Sequence, residues 1–383
     1  MPVFHRLGAA FSAFIFLVGI AACGGGGGTG GAGGGTGGGG ITSGGVSSPA
    51  TSVYIAQTTA TVSPSSATSD ILQFPRSGTG TVTPTATIIG SSGVQLDALA
   101  IDQGGRLYAM GGTYSAACGS AAYSGVEIIV YAPGATGKAT PARTIAGSAT
   151  GLPSSCTAYL YDAIDVDNAG NIYVPEGVAV GSGPGGLVYP GILVFAPTAN
   201  GNVAPLKSIA GPSTTIEAPN YQIAVDSAGT IYVANFSPNG PGYVTIFNSS
   251  ATGDAAPTGT LSGSNTMIYN IQGIAVDHSG DIYVASLAQA QAPNPPLSGT
   301  PSILEFSAGS TGNVAPIRII SGSATTMGEI GNLRVDSEGN IYVFGDVSRT
   351  ILLKFSSTAT GNVAPSASIS LSAYSNVGGI AVQ

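Results

Sequence analysis

Side chains able to do acid–base or metal chemistry are few in this chain of 383 residues. Histidine occurs only at His5 and His278. His278 lies in the turn Asp277-His278-Ser279-Gly280, at a position that two equivalent turns fill with Ser227 and Ser337. It reads as a solvent-facing turn residue, because a general base needs a partner to orient it and none is in sight. A Gly-x-Ser-x-Gly serine with a histidine partner is absent, and no Cys/His spacing suits zinc. Gly181, Gly183 and Gly186 spell Gly-x-Gly-x-x-Gly, but the pattern runs into the apolar segment Leu187–Phe195, which reads as a strand. No helix N-terminus follows to receive a phosphate. Neither a metal nor a cofactor is expected.

Carboxylates and amides are the remaining candidates. Asp102, Asp167, Asp226, Asp277 and Asp336 recur at one position of a repeated turn, whereas a catalytic group is needed once. Departures from the repeat carry more. Two positions before that aspartate stand Ala100, Asp165, Ala224, Ala275, Arg334 and Ala381. Alanine suits tight packing of neighbouring sheets, so Asp165 and Arg334 interrupt the column, three units apart. They are either a charge pair or ligand contact across a central channel, or two substitutions each satisfied locally. The stretch Asp165-Val166-Asp167-Asn168-Ala169-Gly170 has the outline of a calcium loop but few acidic ligands, so a hairpin turn is the reading. The starts of the same segments hold Asp97, Tyr161, Asp162, Asn220, Tyr221, Asn270, Gln272, Glu329, Asn332 and Asn376. With Asp165 and Arg334 they define a candidate ligand-binding mouth, whose neutral amides and tyrosines suit carbohydrate or peptide hydrogen bonding.

The elements that must position these residues repeat. Asp-x-x-Gly-x-(Ile/Leu)-Tyr occurs five times, from Asp102/Gly105/Tyr108 to Asp336/Gly339/Tyr342. Aromatic-x5-Gly-x3-Pro occurs six times, beginning at Phe74, Tyr131, Phe195, Phe247, Phe306 and Phe355. Periods of about 50–65 residues point to propeller-like units. In the third copy, four strand signals fall at Gln222–Val225, Thr230–Ala234, Val244–Phe247 and Thr258–Leu261. Asp opens the first hairpin turn and Gly supplies its left-handed residue, while the proline stands at the start of an outer edge strand. Four antiparallel strands per unit make a propeller blade. Gly379–Gln383 matches a first strand and Val53–Ala56 a second, with Tyr54 in the tyrosine column. The fold expected is therefore all-β: a six-bladed β-propeller closed by N- and C-terminal strands sharing one blade.

Strings such as Gly273-Ile274-Ala275-Val276-Asp277 and Asp281-Ile282-Tyr283-Val284 resemble NHL repeats. The resemblance spans nearly everything after Ser52 and implies the propeller fold. For function it implies a range, from binding scaffolds to lyases and lactonase relatives. The lyase type implies a histidine base. The lactonase type implies a channel metal held by Glu, Asp and Asn; Asp97, Asp162 and Asn332 stand at strand starts, with no Glu in an equivalent place. The Gly-Asn-Val-Ala-Pro segments depart from the usual NHL blade.

Residues 1–22 read as an export signal, with a basic start and an uncharged apolar stretch from Leu7 to Ala22. Leu17-Val18-Gly19-Ile20-Ala21-Ala22-Cys23 resembles a bacterial lipobox, which implies a lipidated Cys23 and stable attachment by several acyl chains. Residues 23–51 form a flexible tether, glycine filling 16 of the 22 positions from Gly24 to Gly45. The propeller occupies 52–383. A net charge of −8 with 7% charged residues excludes a nucleic-acid partner. Export into an oxidising compartment predicts a Cys118–Cys156 disulfide. The leading expectation is a monomeric, lipid-anchored, non-catalytic module in the bacterial cell envelope that binds protein or glycan. The alternatives are a lactonase- or lyase-like enzyme and a purely structural envelope protein.

Overall fold

The computed structural model describes residues 52–59, 68–114, 123–153, 163–180, 187–217, 222–236, 241–287, 300–346 and 348–383. Cys23, Cys118, Cys156, Tyr161, Asp162, Asn220 and Tyr221 lie outside them. Among the described residues, 24 strands make six antiparallel sheets of four, arranged as the blades of a six-bladed β-propeller.

Each repeated turn is built by its own side chains. The Asp102 carboxylate accepts the Arg106 backbone N–H at 2.9 Å and the Tyr108 hydroxyl at 3.1 Å. The same pattern recurs at Asp167 with Tyr173, Asp226 with Tyr232, Asp277 with Tyr283 and Asp336 with Tyr342. The tyrosine six residues on therefore belongs to the turn. Burial and the adjacent Asp226 charge push the Tyr232 hydroxyl up to about 12, so it stays protonated and remains a donor. Gly105, Gly170, Gly229, Gly280 and Gly339 sit at φ between 79° and 87°, where a Cβ would be strained.

The closing blade pairs strand Val377–Val382 (β24) with Ser52–Thr59 (β1), followed by Thr68–Pro75 (β2) and Ala86–Ser92 (β3). Tyr54 lies opposite Ala381 as Tyr108 lies opposite Ala100, so the expected closure holds in register. The ring is also closed at its rim. Gly80, Gly137, Gly201, Gly253, Gly312 and Gly361 each form a parallel bridge to the outer strand of the neighbouring blade, one at every seam. This is the work of the glycine in the aromatic-x5-Gly motif. The proline stands two residues before the outer strand rather than at its first position.

A third repeated element, Gly-x-x-Thr, closes four blades. Thr150, Thr214, Thr266 and Thr325 are buried, and each hydroxyl donates to the glycine carbonyl three residues back. Asn202, Asp254, Asn313 and Asn362 of the following blade accept a backbone N–H from these loops at 2.6–2.7 Å. That is the structural use of Gly-Asn-Val-Ala-Pro. Where the blade has no such loop, Thr81 and Lys138 replace the amide.

The core lies between blades. Val53, Ile55, Leu72 and Phe74 pack against Tyr342, Phe344 and Leu352 of the preceding blade, while Ala56, Ile71 and Ile88 pack against Leu107 and Tyr131 of the next. Each large side chain so buried contributes about 1.5–3 kcal/mol, which offsets the ordering of the blade that joins the two chain ends.

Candidate functional site

The innermost strands Val94–Ile101 (β4), Asp165–Val166 (β8), Gln222–Val225 (β12), Asn270–Val276 (β16) and Gly331–Val335 (β20), together with β24, surround the axis. Glycines allow them to approach closely. A Cβ on Gly378 would stand 2.6 Å from the Leu96 carbonyl oxygen, and one on Gly379 would stand 2.6 Å from the Leu99 nitrogen.

At the end where these strands begin, four of them carry a β-bulge, that of β24 falling at Gly378 and Gly379 opposite Ala56. The register of β4 skips Asp97, that of β16 skips Gln272, and that of β20 skips Asn332. A bulge re-aims the extra side chain out of the regular alternation, and in these last three that side chain is polar, whereas β24 uses glycine. Each is held by an amide: Gln95 donates to Asp97 at 2.9 Å, Gln272 to Asn270 at 2.8 Å, and Gln222 to Asn332 at 2.8 Å. The last bond joins blades two apart. Asn332 is buried at φ 37°, a left-handed conformation that the surrounding hydrogen bonds must sustain. Glu329 is partly buried, and Asn376 is exposed and donates to the Thr58 carbonyl at 3.4 Å.

The opposite end, about 15 Å along the strand, opens as a bowl of about 580 Å³ at the Asp-x-x-Gly turns. His278 reaches its wall, as do the equivalent Ser227 and Ser337. The residue before each aspartate, and before Gln383 in the closing blade, forms a ring: Ile101, Val166, Val225, Val276, Val335 and Val382, one per blade. Five of these six also line a smaller axial chamber of about 120 Å³. None of Asp97, Asn270, Gln272, Glu329 or Asn332 lines either cavity.

Asp165 and Arg334 both line the chamber, so the two interruptions of the alanine column do meet the same space. Each is also satisfied locally. Asp165 accepts the Val166 N–H at 2.9 Å and the Val225 N–H of the next blade at 2.7 Å. Arg334 donates to the Leu333 carbonyl at 2.9 Å and, across the closing blade, to Leu99 at 3.2 Å. Burial pushes the Asp165 carboxyl up, opposed by the Arg334 charge and by the two backbone bonds. Burial likewise lowers Arg334, opposed by Asp165. The turn aspartates have no such freedom, since their oxygens are taken by the turn and its tyrosine.

The fold and axial cavities define a six-bladed β-propeller. No family model matches the sequence, and no curated protein matches it. Among solved structures, it is similar to a protein of unknown function from Bacteroides caccae, with a TM-score of 0.51 at 12% identity over 88% of this chain and 99% of that one. It is also similar to the WD40 domain of Toxoplasma gondii coronin, with a TM-score of 0.44 at 12% identity over 82% of this chain and 67% of that one. At 12% identity the likeness to the Bacteroides caccae protein is one of fold alone.

Proposed function

We propose that this chain is an NHL-like propeller, exported and lipid-anchored through Cys23, that binds a protein or glycan without catalysis. The observation that carries the reading is the set of three bulged polar residues, Asp97, Gln272 and Asn332, held by amide partners at one end of the axis. In these three blades the deformed backbone places polar groups at one end of the axis, Gln272 partly exposed and Asp97 and Asn332 largely buried, and such fixed hydrogen-bonding groups suit recognition of a polar surface. The remaining carboxylates of the repeat support a non-catalytic role, because they are consumed in turn hydrogen bonds. The lipobox and the glycine tether support attachment to the cell envelope.

The experiment uses detergent-solubilised full-length protein on arrays of envelope glycans and peptides, with lactone and ester turnover assayed in parallel. Saturable binding, weakened by Asp97→Asn and Gln272→Ala without turnover in the unsubstituted protein, is expected. Turnover that Asp97→Asn abolishes would replace this reading with the enzyme. For the anchor, Cys23→Ser should move the protein from the membrane fraction to the soluble one. Unchanged membrane attachment would remove that part of the proposal.

A further inference from the structure

The axial chamber has a chemistry of its own, independent of what binds at the bulged end. Its wall carries one acidic and one basic group, Asp165 and Arg334, on blades three apart in a ring of six. They are not in contact. The ion pairs among the described residues join Arg76 to Asp336 and Glu338, Arg106 to Asp102, and Arg318 to Glu305. Between the two groups lies a space of about 120 Å³, enough for several waters at roughly 30 Å³ each or a solute of that size.

Both groups keep capacity toward that space. Arg334 has five N–H donors, and two go to carbonyls. An ionised carboxylate offers about four lone-pair sites, and Asp165 uses two on backbone N–H groups. Those bonds fix each charge in place, which is the preorganisation a binding site needs. Opposite charges only partly exposed, on the wall of a narrow chamber and not in contact with each other, gain from a group that bridges them. The rest of the wall is small or aliphatic, including Ala100, Ala275 and Ala381. Access from the bowl leads through the aliphatic ring, whose residues line both spaces.

We infer that the chamber binds a small zwitterion of the α-amino-acid type, its ammonium toward Asp165, its carboxylate toward Arg334 and a short apolar side chain against the alanines. An ammonium and a carboxylate on one small molecule match both fixed charges at once. An anion or a cation alone would leave one of them unbridged.

The test titrates detergent-solubilised full-length protein with glycine, L-alanine, L-valine and D-alanine, and separately with acetate and methylamine, by calorimetry. One saturable site for at least one amino acid is expected, with acetate and methylamine each weaker by at least about tenfold. Arg334→Met and Asp165→Asn should each weaken amino-acid binding by a similar factor. The ligand series on the unsubstituted protein decides the matter even where a variant does not fold. No heat from any amino acid at millimolar concentration would overturn the inference. Acetate binding as tightly as glycine would overturn it in favour of a simple anion site. Glycan and peptide binding, read on the same samples, reports on the bulged end separately.

Discussion

Arg76 and Asp336, 260 positions apart in the chain, meet at 2.6 Å across the seam between the closing blade and the one before it. Both side chains are withdrawn from water, Arg76 at 7% and Asp336 at 0% exposure. Asp336 also organises its own turn, so this contact ties the closure directly to a repeated structural unit. Glu338 takes a second guanidinium nitrogen at 3.2 Å, but it is 64% exposed and adds little.

Arg76→Met should therefore destabilise the protein by about 3 kcal/mol, because it strands a buried carboxylate. Glu338→Gln should cost under about 1 kcal/mol. Denaturant midpoints of the two variants check the ordering. Equal midpoints would show that the buried pair does not hold the seam.

The same pair sets a pH response. Burial disfavours the charged form of Asp336, but hydrogen bonds from the Asn340 side chain and backbone, the Arg76 charge and the Tyr342 hydroxyl outweigh it and hold the carboxyl below its usual range. A depressed folded value contributes stability that is complete above the unfolded value of about 3.9 and is lost as pH falls through the folded one. Acid unfolding followed by far-ultraviolet dichroism should therefore begin at higher pH in Arg76→Met than in the unsubstituted protein. Coincident acid transitions would contradict the assignment.

Close approach of the innermost strands gives a second test of the ring. A Cβ on Gly379 would meet the Leu99 nitrogen at 2.6 Å and the Ala98 Cα at 2.8 Å, both backbone atoms that have nowhere to go. Gly361, with φ 70° and nothing within 4 Å, faces only the conformational cost, about 1–2 kcal/mol. Gly379→Ala should lower the unfolding midpoint more than Gly361→Ala. Deletion of 376–383 should lower it further, since β1 would lose its partner and leave an open sheet edge. An unchanged midpoint after the deletion would argue that the ring does not depend on this blade.

What could be read in the sequence depended on how local each device is. The Asp-x-x-Gly turn was legible because aspartate, glycine and tyrosine lie within seven residues of one another and recur. The shared blade was legible because Gly379–Gln383 and Val53–Ala56 each match one half of the repeat. Arg76 carried no signal, since it occurs once and its partner is at the other end of the chain. The bulges at Asp97, Gln272 and Asn332 were hidden because an extra residue shows only against the register of its partner strand. Asp165 and Arg334 were visible as breaks in the alanine column facing a central channel, but the backbone bonds that fix each of them were not, since their partners Val225 and Leu99 lie on other blades. Gly-Asn-Val-Ala-Pro was visible without its purpose, which lies in a loop of the preceding blade.

That purpose is testable at Asn362, whose side chain accepts the Ala324 N–H at 2.7 Å. Asn362→Ala should cost about 1 kcal/mol and Thr325→Val at least as much, since the first removes one bond from the loop and the second removes the bond to Gly322 and the one from the Met327 N–H. Because both act on one loop, the double variant should cost less than the sum of the single ones. Strict additivity would show that the amide and the hydroxyl act independently.

Cys118 and Cys156 lie outside the described residues, but backbone flanking both connections does not. Val126, just beyond the connection that holds Cys118, donates its N–H to the Pro153 carbonyl at 2.8 Å, three residues before Cys156. The two connections thus depart from adjoining backbone, and the export proposed above would place these thiols where pairing is favoured. A bridge would close a loop spanning 38 positions, and the chain-entropy argument gives stabilisation on the order of 4 kcal/mol, less any strain. Unfolded, non-reduced protein should show no reactive thiol at either position, and reduction should expose both while lowering the denaturant midpoint. Two reactive thiols before reduction would rule the bridge out.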